Sequence, residues 1–264
     1  MNPRRIRSPA RARGMSLIEM LVAMVLGLVV LGAVGYLFIG SKTTNATQND
    51  LLRMQESARN TMDTMGRAIR QAGYKLDVGQ AMNGVSLAGT EGGGTASAPL
   101  ADTLIVNHDP NWNAVPMQGR EYDCAGTEVV SNNTLNETTG VTPANTNMVS
   151  YRFFIQNAKL RCSNKPADLA DVGVVVANNV ENLQLTYGIG AGAEVVSQYV
   201  TAPTVPQFAT TSAVRVSIVV RGNTPNLVPG GSQTLTLEGT SITWNDGFLR
   251  QVYSSTFTVR NQTR

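Results

Sequence analysis

Gly14-Met15-Ser16-Leu17-Ile18-Glu19 is the stretch of this 264-residue chain whose residue types and spacing most clearly imply chemistry. A single carboxylate, Glu19, stands at the mouth of an uncharged segment running from Met20 to Ser41. At about 1.5 Å of rise per residue that segment makes a helix of roughly 33 Å, enough to cross a bilayer core. A lone carboxylate in such surroundings costs free energy unless a cation pairs with it, so Glu19 reads as functional. Hydrolysis of the Gly14–Met15 peptide bond would supply that cation. The new ammonium at Met15 lies in the same environment as Glu19, and the pair can form within one chain or between neighbouring helices packed with an axial offset.

The residues ahead of this stretch set its orientation. Arg4, Arg5, Arg7, Arg11 and Arg13 form a leader with no acidic residue, which holds that end in the cytoplasm and sends the C-terminal bulk across the membrane. The whole chain carries a net charge of +3 from 21 basic and 18 acidic residues. Without residues 1–14 it has 16 basic against 18 acidic residues, a net of −2. The basic character is therefore a targeting device, and no specific nucleic-acid binding is expected. A conventional secretory signal has a shorter apolar core and a small-residue cut site, whereas the small residues Gly32-Ala33-Val34-Gly35 lie inside the apolar run. An uncut single-pass anchor satisfies the length rule alone. Neither alternative accounts for Glu19.

Elsewhere the chemistry is sparse. His108 is the sole histidine and stands beside Asp109, with no nucleophile-elbow or zinc-protease motif in the chain, so a turn position is expected for it. Glu121 and Asp123 are close in sequence without other signs of an acid–base pair. The Gly89–Thr95 segment lacks the Lys-Ser/Thr of a phosphate loop and reads as part of a flexible connection from Leu76 to Leu100. Trp112, Tyr122 and Trp244 are available to line a partner or glycan surface, although packing under loops is the commoner fate of such residues. The only cysteines are Cys124 and Cys162. In an oxidising compartment two cysteines most often pair, and closing this loop would constrain the unfolded chain by roughly 3–4 kcal/mol. With one distant histidine they do not make a zinc site. No catalytic residue, metal or cofactor is expected.

The elements that must position Glu19 follow from periodicity. Beyond the apolar run, Leu51, Met54, Ala58, Met62, Met65 and Ile69 recur at helical spacing with no proline before Gly73, a natural stop. One helix is expected from Met15 to Ala72, its membrane and assembly half spanning 15–41 and its amphipathic half 42–73. Gly27, Gly32, Gly35 and Gly40 lower helix propensity in the membrane half by about 1 kcal/mol each relative to Ala. They fit either ordinary tolerance of glycine in membrane helices or close approach and local melting during assembly. A β-rich head is expected over 74–264. Its strand candidates are Thr103–Val106, Met148–Ile155, Lys159–Cys162, Val180–Tyr187, Ala213–Val220, Leu235–Leu237 and Leu249–Val259. The expected fold class is α+β, with a long N-terminal helix covering a face of an antiparallel sheet head.

The basic leader, Gly14, and Ser16-Leu-Ile-Glu-Met-Leu-Val-Ala-Met24 resemble the signal of type IV pilins and type II secretion pseudopilins. That resemblance implies removal of residues 1–14 by a prepilin peptidase cutting after Gly14, N-methylation of Met15, and docking of each subunit to its neighbour through Glu19. Met15 departs from the Phe commonest there, a substitution the family tolerates. Ala68–Tyr74, Val180–Gly188, Ala213–Arg221 and Phe257–Asn261 further resemble PilW-type minor pilins of Gram-negative type IV pili. Such a subunit is inserted in the inner membrane with a periplasmic head. It joins other minor pilins and the major pilin on an inner-membrane assembly platform, primes the filament, and ends near the pilus tip, beneath a large adhesin in many members. The family thereby supports pilus biogenesis, adhesion and twitching motility. The alternatives are a minor pseudopilin of a type II secretion machine and, from another class, a periplasmic enzyme or glycan-binding domain tethered by this helix.

Overall fold

A computed structural model describes residues 15–74, 86–95, 98–108, 124, 149–190 and 195–262. The helix α1 (Leu17–Gln71) comes first. The strands are β1 (Leu87–Thr90), β2 (Gly94–Thr95), β3 (Ala98–Pro99), β4 (Thr103–His108), β5 (Val149–Ile155), β6 (Lys159–Ser163), β7 (Val174–Asn178), β8 (Val180–Ile189) and β9 (Gln198–Val200). A short helix, α2 (Val205–Phe208), precedes β10 (Thr211–Arg221), β11 (Gln233–Leu237), β12 (Thr240–Trp244) and β13 (Arg250–Thr258). Every ladder is antiparallel. One sheet has the order β1-β4-β5-β6-β7, a second β13-β10-β8-β9, and β11-β12 and β2-β3 are separate pairs. The chain divides into two compact units, Met1–Ala46 and Thr47–Arg264.

Within the second unit, the packed half of α1 and both large sheets share one core. Met54, Ala58, Met65 and Ile69 from the helix meet Leu104, Phe153 and Leu160 from one sheet and Leu185, Val216 and Ile218 from the other. Polar contacts fix the helix to each side. Ser57 Oγ and Asn60 Nδ2 donate to the β7 carbonyls of Asn178 and Val176, at 2.6 and 2.8 Å. Gly66 lies against β13, where a Cβ would come within 2.5 Å of the Phe257 ring. The buried carboxylate of Asp50 accepts from the Thr224 amide at 2.8 Å, beside Gly222, where a Cβ would stand 2.5 Å from its Oδ2. The helix ends at Gly73 (φ 72), whose N–H donates to the Asn107 carbonyl of β4 at 2.9 Å. Asn261 Nδ2 donates to the Arg70 and Ala72 carbonyls, which the last turn leaves without helical donors. On the far face of β10 and β13, the β11–β12 hairpin buries Leu237 and Ile242 against Val219.

The helix, the antiparallel head and the Gly73 stop agree with the sequence pattern. Several details differ. The buried stripe is turned so that Asp50, Thr61, Gly66 and Ala68 join it, whereas Leu51 and Met62 are only partly buried. The Leu76–Leu100 stretch is not a plain connection in its described part. Leu87–Thr90 pairs with β4, Leu87 is fully buried, and a methyl at Gly89 would collide with the Tyr187 hydroxyl. Here glycine serves close approach within a strand. His108 is not a turn residue: it ends β4, is 1% exposed and packs 5.3 Å from the Tyr151 ring. Trp244 lies under the Arg250 guanidinium, 5.0 Å from it. Gly14 and the arginine leader, Asp109, Trp112, Glu121, Tyr122, Asp123 and Met148 lie outside the described residues. Cys124 and Cys162 form a disulfide with Cα atoms 6.0 Å apart, fastening Cys124 to β6.

The β5–β6 turn carries a testable strain. Gln156 and Lys159 exchange both backbone hydrogen bonds, so Asn157 and Ala158 form a two-residue hairpin with φ of 54° and 52°. This turn type requires positive φ at both positions, which Asn tolerates and Ala resists. Ala158→Gly is therefore expected to stabilise the head by about 0.5–1 kcal/mol, read as a higher denaturation midpoint; an unchanged or lower midpoint would show that the turn holds no strain.

Candidate functional site

The first unit contains the helix from Leu17 onward, and every residue from Met15 to Asn45 is exposed within the chain. Its apolar window has a mean hydropathy of 2.6 and no buried share. Side chains such as Leu17, Leu28, Leu31 and Leu37 stand at 70% exposure or more, a surface that water does not support and a bilayer or neighbouring helices do. Gly27, Gly32, Gly35 and Gly40 have no heavy atom within 4 Å of where a Cβ would stand. Their lack of a side chain answers to no contact inside this chain.

Glu19 is the acidic residue of the first helical turn. The Ser16 carbonyl accepts the Met20 amide at 3.1 Å, which makes Ser16 the residue flanking the helix start and Glu19 its third helical position. A Ser followed three residues later by Glu is the spacing of a capping box, in which each side chain can serve the other residue's backbone amide. The helix N-terminus favours a carboxylate at this place as well. The site can thus hold one negative charge beside free amides at the end of an apolar rod, and a cation from outside the helix would complete it.

The described residues of the head offer no comparable reactive group. Among the described residues, no three His, Cys, Asp or Glu side chains converge to hold a metal ion. Arg250, with a side chain 1% exposed, is saturated by Glu181 and Asp246, and Arg221 reaches Glu181 at 3.0 Å. The hydrogen bonds from Arg250 hold the Asp246 carboxyl down at about 2. Asp102 has the opposite environment. It is buried, accepts from the Gly92 and Leu185 amides at 2.8 and 2.7 Å, and donates its own N–H to Leu183 at 2.8 Å, joining the approach to β4 with β8. Burial pushes its carboxyl up to about 6, opposed by those two amides and reinforced by Glu91. Burial, and then the Asp102 charge, also push the Tyr187 phenol up.

The termini of the chain match known families in the same register as these features. Residues 9–35 match the prokaryotic N-terminal methylation motif, and residues 145–261 match the type IV pilus-assembly protein W family. The chain is similar to the PilW-type pilins over residues 145–261 and carries the methylation motif ahead of them. Among curated proteins none matches it. A solved structure similar to this pilin is a type IV-like pilin from Thermus thermophilus, at 14% identity and a TM-score of 0.41, covering 80% of this chain and 99% of that one. The pilin is accordingly a membrane-anchored, pilus-associated structural component and not an enzyme. The sequence reading placed Glu19 and the packed helix face but missed Asp50, Gly66 and Asp102. Only the position of Asp50, four residues before Met54, offered any signal.

Asp102 gives this pilin a pH signature. Its proton is bound more tightly in the folded head than in the unfolded chain, so its contribution is fully present below about pH 4 and is lost as pH rises through about 6. From pH 4 to 7 the unfolding free energy of the wild type should fall by about 2–3 kcal/mol relative to that of Asp102→Asn, measured by urea denaturation of each protein. A difference that does not vary with pH would contradict burial as the controlling cause.

Proposed function

We propose that this chain is a minor pilin that joins other minor pilins to prime type IV pilus assembly and resides near the pilus tip. In this reading a prepilin peptidase removes residues 1–14 at Gly14, Met15 is N-methylated, and residues 15–41 anchor the subunit in the inner membrane of a Gram-negative bacterium. Residues 42–73 then carry the periplasmic head, 74–264. The observation that supports it most is the fully exposed apolar helix with one carboxylate, Glu19, in its first turn. Such a surface is unstable alone and fits a bilayer first and a bundle of like helices afterwards. The major pilin, the inner-membrane assembly platform and, where present, a tip adhesin are the partners this role requires. Pilus-dependent adhesion and twitching would depend on it through filament number.

Docking by Glu19 and mere capping of its own helix are separable. Gln keeps the reciprocal hydrogen bonds of a capping box but not the charge, whereas Ala loses both. If Glu19 pairs with the Met15 ammonium of a neighbour, Glu19→Gln and Glu19→Ala should both lower incorporation into sheared filaments at least tenfold while membrane levels stay normal. Normal incorporation of Glu19→Gln would remove the docking role.

The mass of the amino-terminal peptide from host membranes tests the processing. N-methylated Met15 is expected, and a chain beginning at Met1 would overturn the pathway. Rescue of a piliation defect, rather than of an exoprotein secretion defect, separates a pilus from a type II secretion machine.

A further inference from the structure

Successive side chains of β5 point to opposite faces of its sheet. Tyr151 and Phe153 join the core, so Arg152 and Phe154 stand on the outer face. The segment 164–173, between β6 and β7, is fastened to that face. Arg152 Nη2 donates to the Asp171 carbonyl and Arg161 Nη1 to the Val172 carbonyl, both at 2.9 Å. The Ser163 hydroxyl donates to the Asp171 carboxylate. An open cleft of about 310 Å³ adjoins these contacts. It is lined by Thr90, Thr103 and Ile105 from the β1–β4 ladder, by Arg152 and Phe154, and by Leu169 from the segment.

Arg152 sets the chemistry of this cleft. It is 3% exposed, and its guanidinium lies 4.5 Å from the centre of the Phe154 ring. Its Nε has no acceptor, and no carboxylate among the described residues forms an ion pair with it. Arg250 in the same head is as deeply buried and has two carboxylates, Glu181 and Asp246. A buried cation left without a counter-charge is costly, so Arg152 has a place for an anion that Arg250 does not. A guanidinium stacked on an aromatic ring keeps its N–H edge for a planar acid group. Ile105, Phe154 and Leu169 make the rest of the lining largely apolar, which suits an acid carrying an apolar body and not a bare phosphate. At about 30 Å³ for each water displaced, the cleft holds about ten water-sized groups.

We propose that this cleft binds a small organic carboxylate, whose acid group pairs with the Arg152 guanidinium and whose apolar body lies against Ile105, Phe154 and Leu169. The hydroxyls of Thr90 and Thr103, opposite one another on β1 and β4, add neutral donors to the same lining. No residue of α1 lines the cleft, so the proposal does not rest on the assembly role.

The test photolyses para-azidobenzoate with the full chain in detergent and maps the label by peptide mass spectrometry. Labelling is expected at Ile105, Phe154 or Leu169. Benzoate should reduce it at least tenfold and benzamide should not, because only the acid meets the guanidinium. Arg152→Gln should lower labelling at least tenfold. Thr90→Glu, at an exposed position, puts a competing carboxylate in the cleft while Arg152 keeps its hold on the 164–173 segment. It should lower labelling equally, and its result stands even where Arg152→Gln fails to fold. Labelling that benzamide displaces as well as benzoate, or that survives Thr90→Glu, would overturn the site. So would displacement by inorganic phosphate as effective as by benzoate, labelling only elsewhere in the chain, or none.

Discussion

Burial of one face of α1 by the head is the contact on which the rest of this molecule depends. The same helix has an apolar half with no partner among the described residues and a half whose stripe from Asp50 to Ile69 is closed by both sheets. The stripe is held by more than apolar area. Gly66 admits the Phe257 ring, Asp50 grips the Thr224 amide, and Ser57 and Asn60 bind β7. These contacts fix rotation as well as position, because each accepts a single register. A helix rotated by one residue would bring Arg53 to the place of Met54 and leave the Asp50 charge without its amide.

The packed helix was legible because six apolar residues repeat at one face, and Gly73 stops it for a reason visible in the sequence. The strongest strands were legible from Val, Ile and Thr alternation. β7 was not, since Val174-Val-Val-Ala-Asn178 shows no alternation, and β12 was not, since its turn is Glu238-Gly239 and not the common Asn-Gly. Asp50 and Asp102 escaped notice for one shared reason. A carboxylate reads as a surface residue until the amides that receive it are known, and those of Thr224 and Leu185 come from far away in sequence. Glu19 stood out because its surroundings are local: it is one charge beside an apolar run.

The two faces of the β13-β10-β8-β9 sheet are used differently. One face carries the helix and the common core; the other carries the β11–β12 hairpin, pinned through Gln233 and the Arg250 network.

The cap on α1 has a consequence for the order in which the protein is made. Asn261, which closes the last turn of the helix, is separated from Ala72 by 189 residues, and Thr224 from Asp50 by 174. The first element to leave the ribosome is finished by the last. Its apolar half can enter a bilayer at once, while its amphipathic half waits for nearly the whole chain before it has a surface to lie on. Contacts of such long sequence span form slowly. Anchoring therefore precedes folding, and the newborn subunit spends its first moments tethered at one end with its head still unfolded.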